Sequence, residues 1–226
     1  MRGGRTFLAR SCALGFLTIL LSVGSNNAAA ALLSGIGGAP SDPVFIGPVT
    51  IDFESTTSGA YNATTIGNTT FTGLDGAYTI DTQYNGSYNI NGLKSLHSIP
   101  GPPPNFTILP SKIEMFFTLP VSAVAFNWGA ADNVWQMSAY DSANALIETN
   151  LIALSPNSSV NNGEYFGVVS PDIKRIVLID QKDAYLNGDE VFIDDVTTSF
   201  EALPEPSSAA VMVFGLAAYL MRRRRL

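Results

Sequence analysis

The stretch IEMFFTLPVSAVAFNW, residues 113–128, followed shortly by WQMSAY, residues 135–140, decides the fold class. Ile113 to Leu119 and Val121 to Trp128 are two runs rich in large apolar side chains, and both read as strands. In the second motif Trp135, Met137 and Ala139 alternate with Gln136, Ser138 and Tyr140, a period of two that assigns Trp135 to the core. Downstream, Asp141-Ser142-Ala143-Asn144 turns the chain into Ala145 to Glu148. Tyr165 to Val169, Lys174 to Ile179 and Glu190 to Phe200 are the remaining strand candidates. Upstream, Val49 to Glu54 alternates and would place Asp52 and Glu54 on one face. Tyr61 to Phe71 and Ala77 to Ile80 follow. Asn85-Gly86 and Asn91-Gly92 signal tight turns, and the proline run Ile99 to Pro104 belongs to a surface loop. No long stretch keeps a helical period, and no internal repeat stands out. Short strands at roughly ten-residue spacing predict an all-β antiparallel sandwich, with a jelly roll as the best fit.

Both termini differ from this body. Arg2, Arg5 and Arg10 precede an apolar run from Cys12 to Val23 and the small residues Ala28 to Ala31, the parts of a secretory signal peptide with cleavage near Ala30. The chain's one cysteine, Cys12, lies in that segment, so the body has no thiol for a disulfide or a thiolate site. At the other end Pro204-Glu205-Pro206 leads through Ser207-Ser208 into an apolar run, Ala209 to Met221, and then Arg222, Arg223, Arg224 and Arg225. A helix over that run would be roughly 20 Å long, short of the ~30 Å hydrocarbon core. Flanking serines and snorkelling arginines would have to cover the difference. The four arginines stay cytoplasmic and stop translocation, so everything N-terminal to Pro204 is expected outside.

The order Pro-Glu-Pro, short membrane segment, basic end resembles the PEP-CTERM sorting signal of Gram-negative bacteria, over Pro204 to Arg225. The same tail is catalogued as an ice-binding-protein C-terminal domain. The resemblance implies export through the translocon, recognition by an exosortase-type membrane protease, and passage towards the cell envelope or surface. Four segments are expected: 1–30 signal peptide, 31–48 a Gly/Ser/Pro-rich linker, 49–200 the sandwich and 203–226 the sorting segment. The strand succession also resembles the bodies of PEP-CTERM proteins and carbohydrate-binding modules with a galactose-binding-like jelly roll. In those modules a Phe-Glu near the first strand and an Asp-Asp in the last flank a structural calcium ion. The matching residues are Phe53-Glu54 and Asp194-Asp195, and the candidate ligands are Asp52, Glu54, Asp194 and Asp195.

The charge distribution narrows the function. Of 12 basic residues three lie in the signal and four in the tail, leaving Lys94, Lys112, Lys174, Arg175 and Lys182. All 19 acids lie between Asp42 and Glu205, so this part is at −14. That argues against a nucleic-acid partner and suits cations. Adjacent aspartates on a strand point to opposite faces, so one of Asp194 and Asp195 faces inward and needs a cation or hydrogen bonds. Either calcium compensates, or Asp194 accepts N–H groups while Asp195 faces water. His97 is the only histidine and reads as a surface residue, which leaves no zinc set. No Ser–His–Asp triad is recognisable either. Trp128, Trp135, Tyr140, Tyr61, Tyr84 and Tyr88 are the rings available for sugar stacking, with Tyr84 and Tyr88 best placed for exposure. Asn-x-Ser/Thr at Asn62, Asn68, Asn85, Asn105 and Asn157 marks a hydroxyl- and amide-rich surface. The reading is a non-enzymatic exported surface or matrix protein with extracellular polysaccharide as a candidate partner. The alternatives are a calcium-stabilised carbohydrate-binding module, an ice-binding protein and a small hydrolase.

Overall fold

A computed structural model describes residues 30–37, 42–83, 92–100, 108–152, 164–182 and 189–200. The signal segment 1–29, Tyr84, Tyr88, Pro204 to Pro206 and Arg222 to Arg225 lie outside the described residues. Within them are fourteen strands: β1 Ala31–Ile36, β2 Val49–Ile51, β3 Gly59–Tyr61, β4 Ala63–Ile66, β5 Thr69–Gly73, β6 Tyr78–Asp81, β7 Ser95–His97, β8 Ile99–Pro100, β9 Ile108–Leu109, β10 Lys112–Gly129, β11 Trp135–Tyr140, β12 Leu146–Ile152, β13 Glu164–Asp180 and β14 Phe192–Ser199. No helix occurs among the described residues, and every strand pairing is antiparallel.

The two runs flanking Pro120 form one strand, not two. β10 is 18 residues long and β13 is 17, and they pair along both halves with register shifts between Phe116 and Val121 and again before Ala123. Pro120 cannot donate to a ladder, so the irregularity falls where pairing is already interrupted. Asn68 straps this bend, accepting from Leu119 N (2.7 Å) and donating to Leu119 O (3.0 Å).

The bend lets the same two strands serve two sheet portions. Sheet I runs β4-β5-β10-β13-β11-β12 through Lys112 to Phe117 and Arg175 to Asp180. Sheet II runs β1-β13-β10-β14 through Val121 to Gly129 and Glu164 to Ile173, continuing to β2 and to β7-β6-β3. One core takes side chains from both: Phe71, Ile113, Met115, Phe117, Met137 and Leu178 from sheet I, and Tyr78, Ile80, Leu96, Val124, Phe126, Trp128 and Ile193 from sheet II. Trp128 meets Trp135 edge-on across it, centroids 5.4 Å apart at 73°, an arrangement worth ~1 kcal/mol beyond the buried area. The architecture is thus an antiparallel all-β fold consistent with a sandwich.

Four further expectations need correction. The proline run Ile99 to Pro104, expected wholly as a loop that cannot sit in a sheet, begins with a strand: Ile99 and Pro100 pair with Leu109 and Ile108. The start of the expected linker is a strand. Ala31 to Ile36 pair with Glu164 to Val169, and Gly35 is required because a Cβ there would lie 2.5 Å from the Tyr165 hydroxyl. The strand expected over Val49 to Glu54 ends at Ile51, where Phe53 turns the chain at φ 58 and Asp52 Oδ1 accepts Glu54 N. His97 is buried, not exposed: Nε2 lies 3.0 Å from Asp81 Oδ1, Nδ1 lies 2.9 Å from Ser98 O, and the ring stacks on Phe192.

Candidate functional site

The outward faces of the two sheets are built differently. On sheet II, Tyr165, Asn127 and Asp194 line up across β13, β10 and β14 on the side opposite the core. All three are buried, as are Ser95, His97, Thr197 and Ser199 on that side. Segment 42–46 covers one end: Phe45 packs on Ala123, Ala125 and Tyr165, and Ile46 O accepts from Ser199 Oγ. The Tyr165 hydroxyl donates to Asp42 at 2.7 Å, and that bond pushes its pKa up to about 12.

Sheet I presents an open face. Alternation along β10 buries Ile113, Met115 and Phe117 and turns Glu114 and Phe116 outward, Phe116 at 38% exposure. The register aligns one row across six strands: Thr65, Thr70, Phe116, Arg175, Tyr140 and Leu146. A parallel row holds Thr72, Glu114, Val177, Ser138 and Thr149. The Arg175 guanidinium lies over the Tyr140 ring at 4.1 Å, and its Nη1 reaches Glu114 Oε2 at 3.4 Å. Lys174 Nζ stands 4.8 Å from the Phe116 centroid and donates to Thr118 O at 2.6 Å. Each cation–π contact at such a site is worth ~0.5–1 kcal/mol, and the ion pair adds up to ~1 kcal/mol. They hold the guanidinium flat. Gln136 Nε2 donates to Ser138 Oγ (3.1 Å) and Thr149 Oγ1 (3.0 Å), and Thr65 and Thr70 share a hydroxyl contact at 2.8 Å.

Phe116 and Tyr140 sit two strand spacings apart, ~10 Å, with Arg175 on the strand between them. The result is an outward row of two rings, each with a cation over it, bordered by hydroxyls, an amide and a carboxylate. Of the rings named from the sequence, Tyr140 alone belongs to this row. Trp128 and Trp135 are core, and Tyr61 packs on Tyr78. Phe116, Arg175 and Glu114 were missed, although the alternation in IEMFF carries the signal: a phenylalanine in step with a glutamate faces water.

The structure does not assemble the four expected calcium ligands. Glu54 Oε1 accepts the amides of Leu93 and Lys94 at 2.5 and 2.8 Å, while the Lys94 ammonium bonds the Glu54 and Thr56 carbonyls at 3.1 and 2.5 Å. A lysine cation thus occupies the oxygen-rich position. Asp52 is exposed in its turn. Asp194 and Asp195 are both buried because β14 bulges: Asn127 pairs with Asp194 and Ala125 with Thr197, so Phe126 faces two residues and Asp195 takes φ 44. Asp194 Oδ1 accepts Asp195 N (2.8 Å) and Asp195 Oδ2 accepts Asn127 Nδ2 (3.2 Å). Among the described residues no group of three or more His, Cys, Asp or Glu could hold a metal ion. Ala30, the expected cleavage residue, packs half-buried against the core.

One further carboxylate is tightly engaged. Buried Asp189 accepts from Asp132 N (3.0 Å), Asn133 N (2.9 Å) and Trp135 Nε1 (2.9 Å), fixing the turn between β10 and β11. Burial raises its pKa, and the three donors offset that rise only in part.

No family model matches the chain, and no curated protein matches it. Among solved structures it is similar to a mutant of CBM29-2, a family 29 carbohydrate binding module, at 13% identity and TM-score 0.34 over 79% of this chain and 99% of that one. Another CBM29-2 mutant, complexed with cellulohexaose, shows 14% identity and TM-score 0.30 over 77% and 94%. The catalytic domain of a GH87 alpha-1,3-glucanase in complex with tetrasaccharides shows 14% identity and TM-score 0.35, over 77% of this chain and 30% of that chain.

Proposed function

We propose that the chain is a non-catalytic polysaccharide-binding protein and that the open face of sheet I is its binding surface. One observation supports this above the others: Phe116, Arg175 and Tyr140 stand side by side on β10, β13 and β11, outside the core and with the guanidinium pinned by Tyr140 and Glu114. A pyranose ring has apolar C–H faces and a rim of hydroxyls that both donate and accept. Aromatic planes serve the first, and fixed guanidinium, amide, carboxylate and hydroxyl groups serve the second. A flat sheet accepts an extended polymer, and pinned side chains lose little entropy on binding. The fold in this proposal is a jelly-roll sandwich.

The terminal segments supply the address. The signal segment sends the body through the translocon, and Pro204-Glu205-Pro206 with the apolar run and Arg222 to Arg225 presents it to an exosortase-type protease for passage to the cell surface or matrix. Intact mass spectrometry of protein from its native cell is expected to show loss of both ends. A full-length mass with both ends retained contradicts the sorting proposal.

The binding proposal is tested on an array of extended glycans, using the full chain and the double variant Phe116→Ala/Tyr140→Ala. Wild type is expected to bind at least one polymer and the variant to lose tenfold or more, with its unfolding transition retained. No binding by wild type, or equal binding by both, overturns the proposal.

A further inference from the structure

We infer that the open face of sheet I selects anionic polysaccharides, specifically uronate-bearing chains with one carboxylate per sugar. This inference rests on the polysaccharide-binding reading above and concerns the ligand's charge. The observation behind it is where the body keeps its few cations. Only five basic residues stand against 19 acids between Asp42 and Glu205. Three of the five, Lys112, Lys174 and Arg175, are on the β10–β13 half of sheet I that carries the row of rings. Lys182 follows the end of β13 by two residues, next to where Lys112 pairs with Ile179. Lys94 alone is elsewhere, and its ammonium is spent on the carbonyls of Glu54 and Thr56.

Scattered solubilising charges would not gather in this way. Glu114 is the carboxylate in the outward rows, and Arg175 Nη1 faces it. The rim acids are oriented by local bonds that leave their charge in place: Asp172 takes Ser142, Asp141 takes the Ala145 amide, and Asp75 takes Ser111 and the Lys112 amide. Lys112 and Lys174 thus mark the two ends of a strip along β10, with Phe116 and Arg175 between them. At physiological ionic strength the Debye length is ~8 Å, so a polymer on this strip senses these cations together with the adjoining Glu114 and Asp75, and the distant acids of the body only weakly. A neutral glycan gains hydrogen bonds from them but no charge pairing. A uronate chain meets the strip with a carboxylate at each sugar, which the Lys112 and Lys174 ammoniums can pair as point charges.

The test uses matched polymers: polygalacturonate and alginate, each beside its fully methyl-esterified form, presented to the full chain in 0.05 to 0.5 M salt. The expected result is binding of at least one free-acid polymer at least tenfold more tightly than its ester, with affinity falling as salt rises. Lys112→Gln/Lys174→Gln should collapse that preference towards unity, with Lys94→Gln as a control that keeps it. Equal capture of acid and ester, or preference for the ester, overturns the anionic selectivity and leaves polysaccharide binding standing. Capture of no polymer in either form overturns both.

Discussion

The same two strands build a sheet face that is sealed and a sheet face that is more open, and the binding proposal rests on that contrast. Where β10 and β13 cross sheet II, the side opposite the core is packed with Ala123, Ala125, Asn127, Tyr165 and Gly167, and residues 42–46 lie across it. Where they cross sheet I, the outward side carries Glu114, Phe116, Arg175 and Val177, with Phe116 38% exposed and the Lys174 ammonium over its ring. Buried polar groups on the first face must be satisfied internally, so they act on stability. Groups on the second face are organised by one another, and several, Phe116 among them, are exposed, which is why the binding proposal rests there.

The contrast breaks first at Gly167. A Cβ there would stand 2.1 Å from Val124 O and 2.7 Å from the Ala125 Cβ. Gly167→Ala is expected to cost about 3 kcal/mol or to prevent folding, whereas Thr70→Ala on the open face should stay within ~0.5 kcal/mol. Urea titrations of the pair check this, and equal midpoints would erase the distinction. Next comes Asp189→Ala, which strands two amides and an indole N–H and is expected to cost about 2–3 kcal/mol. A loss below ~0.5 kcal/mol would mean that the turn is not held there. Arg175→Ala reverses the pattern: at most ~2 kcal/mol in stability, with polysaccharide affinity falling tenfold or more by isothermal titration. The smallest effect is in pH. Because the Asp189 carboxyl has a raised pKa in the folded state, the fold holds that proton more tightly than the unfolded chain. Its contribution is therefore full below the ordinary carboxyl value of about 3.9 and is lost as pH rises through the raised folded value. Asp189→Asn should remove this component of the urea-midpoint profile; an unchanged profile would refute it.

Much of this contrast could be read in the sequence, and the failures have definite causes. The period of two in WQMSAY placed Trp135, Met137 and Ala139 inside, and the turn chemistry of Asp141–Asn144 marked a real turn. Phe116 escaped notice because IEMFF looks uniformly apolar until its alternation with Glu114 is counted. The Asp194-Asp195 argument assumed an unbroken strand, and one extra residue in β14 resets the alternation and buries both. His97 was placed at the surface on composition, whereas β6 and β14 flank it and Asp81 satisfies its ring. Gly35 and the glycines around it suggested a linker, but Gly35 is small because the Tyr165 ring crosses it.

The most direct test is carbene footprinting of the full chain with and without its best-bound polysaccharide. The account predicts protection centred on Glu114, Phe116, Gln136, Tyr140 and Arg175, with residues 192–199 and 95–97 unchanged. Protection concentrated on sheet II, with the open face labelled as in the free protein, would contradict it.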